Sequence, residues 1–128
     1  MIYLDSSFAL AALFAEPKAP PQSFWQLDLV SSRLLEFEVI NRIFTRGLGP
    51  KNLTAAQNLL TKVSMINMSR PNLARALQPF PAPIRTLDSL HLATMAFLVD
   101  AGQIVQLASY DRRLVEAAAL LGIAALDL

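Results

Sequence analysis

Short apolar runs alternate with amphipathic stretches along the chain, and this alternation predicts strands that are followed by helices. The predicted strands span residues 2–4, 27–30, 65–68, 104–108 and 123–126. The predicted helices begin near Ser6 and span residues 33–46, 54–63, 86–100 and 111–121, with a short helix in the proline-rich stretch 69–83. Strands and helices that alternate through short connections are typical of an α/β domain with a mainly parallel sheet.

Residues that start and stop helices lie between these elements. Ser31 and Ser32 are predicted caps of helix 33–46, and Thr86 is a candidate cap of helix 86–100. Gly122 is placed to end the helix before the last strand. The pattern shows no repeat, and we expect residues 1–128 to form a single domain.

The composition of the chain excludes several classes of protein and of reactive site. The chain is 54% hydrophobic and 16% charged, which excludes a disordered protein and leaves more apolar surface than one small domain usually buries. The absence of cysteine excludes disulfides, thiolate metal sites and a cysteine nucleophile. With 11 basic and 10 acidic residues, the net charge of +1 gives no general electrostatic case for nucleic-acid binding.

The sequence has no run of apolar residues long enough to span a membrane, and its first residues do not resemble a signal peptide. Together with the lack of cysteine, this leads us to expect a cytoplasmic protein that does not contact membranes.

Three aspartates stand at predicted helix starts. Asp5 closes the first strand, Asp111 follows strand 104–108, and Asp88 lies in the first turn of helix 86–100. Each one alone is explained as a helix cap. Ligands in parallel sheets bind beyond the carboxyl ends of the strands, where Asp5 and Asp111 are expected to meet. Carboxylates gathered there would suit Mg²⁺ or Mn²⁺.

Helix 33–46 carries two further acids, Glu36 and Glu38. A helical wheel places Glu36 among apolar residues, and it places Glu38 on a polar face where an ion pair with Arg42 is the simplest role. Periodicity does not decide which of the two contributes to a site.

Four segments, in order along almost the whole chain, resemble the PIN-domain ribonucleases and, within them, the VapC-type toxins of toxin–antitoxin pairs. The segments are IYLDSSFAL, SSRLLEFEVINR, TLDSLHLATMAF and LASYDRRLVEAAALLGI. The resemblance implies a PIN-like three-layer α/β domain, with a central mainly parallel sheet flanked by helices. Residues 54–83 contain nothing diagnostic of the family.

The acidic residues that form the metal site of this family match Asp5, Glu38, Asp88 and Asp111. Glu38 is chosen over Glu36 because an aliphatic residue and, four positions later, an arginine follow it, as in the family. The resemblance therefore implies an endoribonuclease that depends on Mg²⁺, with Mn²⁺ as a substitute. Its metal-activated water would leave a 5′-phosphate and a 3′-hydroxyl.

Other residues near these segments are candidates for supporting roles. Ser7, Ser109 and His91 are expected beside the acids, and His91 is the only histidine, which excludes a multi-histidine zinc site. The candidates for contacts with RNA phosphates are Arg42, Arg112 and Arg113, although each also fits a solvated surface.

The resemblance also implies protein partners. Residues 8–25, with Phe24 and Trp25, are expected to be mostly core, and in VapC-type proteins this part helps to form a groove for a VapB-type antitoxin. We expect an antitoxin groove and a homodimer contact to cover the surplus apolar surface. Two alternatives remain: a catalytically silent interaction module with its acids as caps, and a phosphoryl-transfer domain, against which the lack of a glycine-rich phosphate loop argues.

Overall fold

A five-stranded sheet forms the centre of the protein in a computed structural model that describes residues 1–127. Its strands are β1 (Ile2–Leu4), β2 (Leu29–Ser32), β3 (Ser64–Ile66), β4 (Gln106–Ala108) and β5 (Ala124–Ala125). They lie in the order β3-β2-β1-β4-β5, and every neighbouring pair is parallel. The parallel sheet predicted from the sequence is therefore confirmed.

Helices cover both faces of this sheet. They are α1 (Ser6–Leu13), α2 (Leu34–Thr45), α3 (Pro50–Leu60), α4 (Arg70–Ala76), α5 (Thr86–Asp100) and α6 (Arg112–Leu120), with a 3₁₀ turn at Gln22–Gln26. Successive side chains of a strand point to opposite faces. Ile2 and Leu4 accordingly pack with α1, α2 and α3, and Tyr3 packs with α5 and α6 on the other face. The expected three-layer α/β architecture is confirmed.

The prediction that Ser31 and Ser32 precede α2 as caps is wrong, because both belong to β2. They continue the parallel ladder with β3, where Ser31 pairs with Met65 and Ser32 with Ile66. The Ser31 hydroxyl donates to the Leu4 carbonyl at 2.7 Å, which ties β2 to β1. The Ser32 hydroxyl still accepts the Leu34 N–H at 3.1 Å, so part of the capping role survives.

One helix start and one helix cap also differ from prediction. Helix α3 begins at Pro50 and not at Thr54, because proline is well suited to the first helical turn, where its missing N–H has no partner to lose. The N-cap of α5 is Arg85, which makes no side-chain capping bond, and Thr86 is the first helical residue. Gly122 has the positive φ of 80° expected after α6.

The aromatic residues of the 3₁₀ turn belong to the core. Phe24 is 1% exposed and Trp25 is 8% exposed, and their rings meet edge to face with centroids 5.0 Å apart. The large apolar side chains of segment 8–25 are in the core as expected: Phe8, Phe24 and Trp25 are buried, and Leu10, Leu13 and Phe14 pack against that core. Residues 15–18 and 21–23 of the segment are exposed, and neither ring of the 3₁₀ turn is a surface anchor for a partner.

The strand order fixes where a ligand can bind. Strand β1 is central: the chain runs from it to β2 and β3 on one side and then crosses to β4 and β5 on the other. This reversal opens a crevice at the carboxyl ends of β1 and β4. Within residues 1–127, every helix is too short or too polar to cross a membrane.

Candidate functional site

Asp5 stands at this crevice, directly after β1, and is 6% exposed. Because Leu4 pairs with Ala108, the residues after the two strands lie side by side. The Asp5 Oδ2 atom accepts hydrogen bonds from the hydroxyls of Ser7, at 2.7 Å, and Ser109, at 2.8 Å. The same oxygen caps α1 through the Ser7 N–H at 3.4 Å. Two hydroxyls on different elements thereby hold this carboxylate.

Asp111 is the N-cap of α6, as its position after β4 predicted. Its Oδ1 atom accepts the N–H groups of Arg113, at 3.0 Å, and Leu114, at 3.4 Å. Its own N–H donates to the Ser109 hydroxyl at 2.9 Å. Ser109 therefore links the two aspartates that the ends of β1 and β4 bring together.

Asp88 lies in the first turn of α5, which begins at the same edge of the sheet. Burial raises the pKa of Asp88 above its usual value, and the negative charges of Asp111 and Asp5 raise it further. Asp88 is thus within reach of the charges of the two aspartates that follow β1 and β4.

Glu38, on α2, is bonded to the buried His91. The Glu38 Oε1 atom lies 2.5 Å from His91 Nε2, and the Tyr3 hydroxyl lies 2.7 Å from His91 Nδ1. The Tyr3 oxygen also accepts the Ser32 N–H at 3.1 Å. His91 is completely buried, so both of its ring nitrogens are used within the protein. Its position beside the acids is therefore that of a support for Glu38.

The charge of His91 reflects the same surroundings. Burial alone would lower the pKa of His91, but the hydrogen bond and charge of Glu38 outweigh it, and the charges of Asp5 and Asp88 add to the effect. The net pKa is raised above the usual value for histidine. The carboxylates of Glu38, Asp5 and Asp88 thus all raise the pKa of His91.

Glu36 and Glu38 have different surroundings. The Glu36 side chain is 42% exposed and lies 3.8 Å from Arg33. The Glu38 side chain is 21% exposed and pairs with His91, not with Arg42 as the simplest helical interpretation suggested. The wheel prediction that Glu36 is the buried acid of α2 is therefore wrong.

The donor set is suited to a hard divalent cation. Asp5, Asp88 and Asp111 offer carboxylate oxygens, and within residues 1–127 none of them forms an ion pair with a cationic side chain. Burial and, after it, repulsion from Asp111 and Asp5 raise the pKa of Asp88, and a bound cation would offset both effects. Within the described residues 1–127, however, no group of three or more His, Asp or Glu side chains is close enough together to hold a metal ion.

The candidate arginines lie in different places. Arg113 lines a small cleft of about 260 Å³ together with Asp88 and Arg85. Arg42 lines a second cleft, of about 550 Å³, that also includes Ser7. Arg112 is exposed at the start of α6 and lines neither cleft.

Two residues of the site were missed by sequence reasoning. Tyr3 was treated only as part of a strand, although a buried tyrosine hydroxyl usually needs a partner, and that requirement could have pointed to it. Arg85 precedes α5 and flanks Asp88 in the same cleft as Arg113. Because Arg85 is only three positions before Asp88 in the sequence, its place beside this acid could have been predicted.

Comparisons with known proteins agree with this architecture. The profile of the family described as PIN domain matches residues 2–120. Ribonuclease VapC35 of Mycobacterium tuberculosis is 30% identical over 97% of this chain and 94% of its own length. Ribonuclease VapC46 of the same species is 32% identical over 96% of this chain and 94% of its own. Ribonuclease VapC47 of Mycobacterium tuberculosis is 28% identical over 90% of this chain and 88% of its own length.

Proposed function

Because this chain belongs to the PIN-domain family, as a VapC-type member, we propose that it is a metal-dependent endoribonuclease and the toxin of a toxin–antitoxin pair. The observation that supports the proposal is the pair Asp5 and Asp111, which follow the adjacent strands β1 and β4 and are linked through Ser109. The charges of both act on Asp88, and Glu38 is bonded to His91. Residues 1–128 act in this proposal as one PIN domain.

Asp5 and Asp88 are the proposed core ligands of Mg²⁺ or Mn²⁺, and Glu38 and Asp111 complete the acidic pocket. When bound, the cation would polarise the scissile phosphate and activate a water for in-line attack, which leaves a 5′-phosphate and a 3′-hydroxyl. Ser7 and Ser109 act by fixing the orientation of Asp5.

Three of the four carboxylates are held by the protein at one oxygen. Asp5 uses Oδ2, Asp111 uses Oδ1 and Glu38 uses Oε1 in the hydrogen bonds described above. Within residues 1–127, the second oxygen of each of these side chains accepts no hydrogen bond from the protein. One oxygen per side chain is therefore positioned by the fold, and one is free for a ligand.

Arginines beside the acids would neutralise the phosphates of the RNA. Arg85 and Arg113 flank Asp88, Arg42 lies in the cleft next to Ser7, and Arg112 follows Asp111 at the helix start. Contacts of this kind make binding depend on salt. Affinity for RNA should fall as the salt concentration rises, and an affinity independent of salt would remove the arginines from the proposal.

A cleavage assay with a matched pair of variants tests the proposed activity. Wild type, Asp5→Asn and Asp100→Asn are incubated with RNA and Mg²⁺ or Mn²⁺. Asp100 is exposed at the far end of α5 from Asp88, so Asp100→Asn should cleave like wild type. Asp5→Asn should be inactive, and full activity in Asp5→Asn would contradict the proposal.

The second candidate is an interaction module without catalysis. It is supported by Asp5 and Asp111, both of which cap helices and so have a structural role that needs no metal. Purified protein that cleaves no RNA with either cation would favour this candidate.

Exposed apolar side chains support the proposal of protein partners. Phe37 and Phe44 on α2 are 65% and 61% exposed and line a cleft of about 840 Å³ between α2 and α3. Leu77, at the end of α4, is 89% exposed. Apolar surface of this extent is typical of interaction sites. We propose a homodimer and a VapB-type antitoxin as the partners, in the cytoplasm, where RNA is available.

The homodimer is tested by the mass of the purified chain in solution. A dimer is expected without antitoxin, and a monomer at every concentration would contradict it. The antitoxin is tested by expressing the product of a small neighbouring reading frame, which should bind the chain and suppress cleavage of RNA.

A further inference from the structure

Tyr110 stands between Ser109 and Asp111, at the carboxyl end of β4. Its ring stacks on that of Phe8, with centroids 4.2 Å apart and planes at 27°. Phe8 is 3% exposed, whereas Tyr110 is 38% exposed. The Tyr110 N–H also donates to the Ser7 hydroxyl at 2.8 Å. An aromatic ring is thereby fixed on the core beside the acidic pocket, with part of its surface open to solvent.

The ring borders two clefts of about 490 and 550 Å³. The larger one is lined by three exposed cations, Lys18, Arg42 and Arg46, and by one acid, Glu16. The Arg46 guanidinium lies 4.2 Å from the centroid of the Phe14 ring. Within residues 1–127, none of the three cations forms an ion pair. The three cations outnumber the single acid, so this cleft carries a net positive charge.

A cationic groove beside an open aromatic ring is the combination with which proteins bind single-stranded nucleic acid. The cations follow the phosphates, and the ring stacks on a base. Ser7 lies between the cationic cleft and the acidic pocket. It lines the cleft, and its hydroxyl donates to Asp5 and accepts the Tyr110 N–H. A strand that lies in this cleft would consequently pass next to the acids.

We propose that Tyr110, supported by Phe8, is a stacking site for an unpaired nucleobase next to the scissile phosphate, with Lys18, Arg42 and Arg46 neutralising the adjoining backbone. This inference rests on the proposed function and deepens it, because it assigns the residues that hold one unpaired base and the backbone next to it. A base within a duplex has both faces covered by its neighbours and cannot stack on the ring.

Binding measurements on a catalytically silenced background test the site. The background is Asp88→Asn, since the structure shows no side-chain hydrogen bond that this change would break. The probe is a fluorescent single-stranded oligoadenylate, measured by anisotropy alone and after annealing to oligouridylate. Tyr110→Leu removes the ring and Tyr110→Phe retains it. Phe97→Leu is the matched control, because Phe97 is 42% exposed on α5.

Loss of the ring should raise the Kd for the single strand at least about fivefold, which corresponds to about 1 kcal/mol, the lower end of base–aromatic stacking. Tyr110→Phe and Phe97→Leu should change this Kd by less than about twofold. The duplex should bind more weakly than the single strand and should not respond to Tyr110→Leu. Melting temperatures of all variants show whether each is folded.

An unchanged Kd in folded Tyr110→Leu, or equal binding of duplex and single strand, would overturn the stacking site. It would also be overturned if Tyr110→Leu bound RNA normally but no longer bound the antitoxin, because the ring would then serve a protein. Wild type that cleaves no RNA contradicts the proposed function. Wild type and Tyr110→Leu that cleave RNA equally well contradict only the stacking site.

Discussion

Glu38 and His91 are 53 positions apart in the chain, and a hydrogen bond of 2.5 Å joins the Oε1 atom of one to the Nε2 atom of the other. The bond is continued through His91 Nδ1 to the hydroxyl of Tyr3, and from there to the Ser32 N–H. Most of these hydrogen-bonded side chains are buried between the sheet and α5. These bonds fix the position of the Glu38 carboxylate on α2.

The first prediction compares the two glutamates of α2. Glu38→Gln should lower the rate of RNA cleavage at least about 10-fold, because the carboxylate that the buried histidine positions is lost. Glu36→Gln should leave the rate unchanged, since Glu36 is half exposed and contacts only Arg33. The measurement is the initial rate with saturating Mg²⁺. Equal losses in both variants would remove the distinction between them.

The second prediction concerns Tyr3, whose buried hydroxyl is bonded to His91. Tyr3→Phe should lower the free energy of unfolding by about 1–3 kcal/mol, because it leaves buried polar partners without a hydrogen bond. Those partners are His91 Nδ1 and the Ser32 N–H. Urea denaturation measures the change. Tyr110→Phe is the control, and a Tyr3→Phe midpoint equal to that of wild type would show that the hydroxyl stabilises nothing.

Sequence reasoning located the aspartates because strand ends are local features. Asp5 and Asp111 each follow a short apolar strand, and the rule that ligands bind at the carboxyl ends of parallel strands needs no further information. Glu38 could not be chosen in this way. A helical wheel describes one helix alone, whereas the partner that distinguishes Glu38 from Glu36 is on α5.

Errors in the strands and helices have the same origin. Ser31 and Ser32 resemble helix caps locally, but their pairing with Met65 and Ile66 makes them part of β2. This pairing depends on a strand more than thirty positions away, which no local pattern shows. The role of Tyr3 depends likewise on a histidine 88 positions later.

The third prediction concerns the repulsion at Asp88. Its pKa is raised, so the ionised carboxylate destabilises the folded protein at neutral pH when no cation is bound. Asp88→Asn should therefore have a higher melting temperature than wild type in EDTA. Adding Mn²⁺ should raise the melting temperature of wild type and of Asp100→Asn, but not that of Asp88→Asn. A wild type that does not respond to Mn²⁺ would contradict the assignment of Asp88 as a ligand.

The fourth prediction concerns the hydroxyls that hold Asp5. Ser109→Ala should reduce cleavage by about 10- to 100-fold, as expected when a residue that orients a metal ligand is lost. Ser7→Ala should act in the same direction, because its hydroxyl donates to the same oxygen. Ser89→Ala is the control, since that hydroxyl bonds only to the Thr86 carbonyl on the exposed side of α5. Wild-type rates in Ser109→Ala and Ser7→Ala would show that neither hydroxyl positions Asp5.

The chemistry of the products tests the central claim most directly. Purified wild-type protein is incubated with RNA in Mg²⁺ or in EDTA, and the ends of the fragments are identified. If the acidic pocket acts through a metal-activated water, cleavage occurs only with the cation and leaves a 5′-phosphate and a 3′-hydroxyl. Cleavage that persists in EDTA, or fragments that end in a cyclic phosphate, would contradict the account.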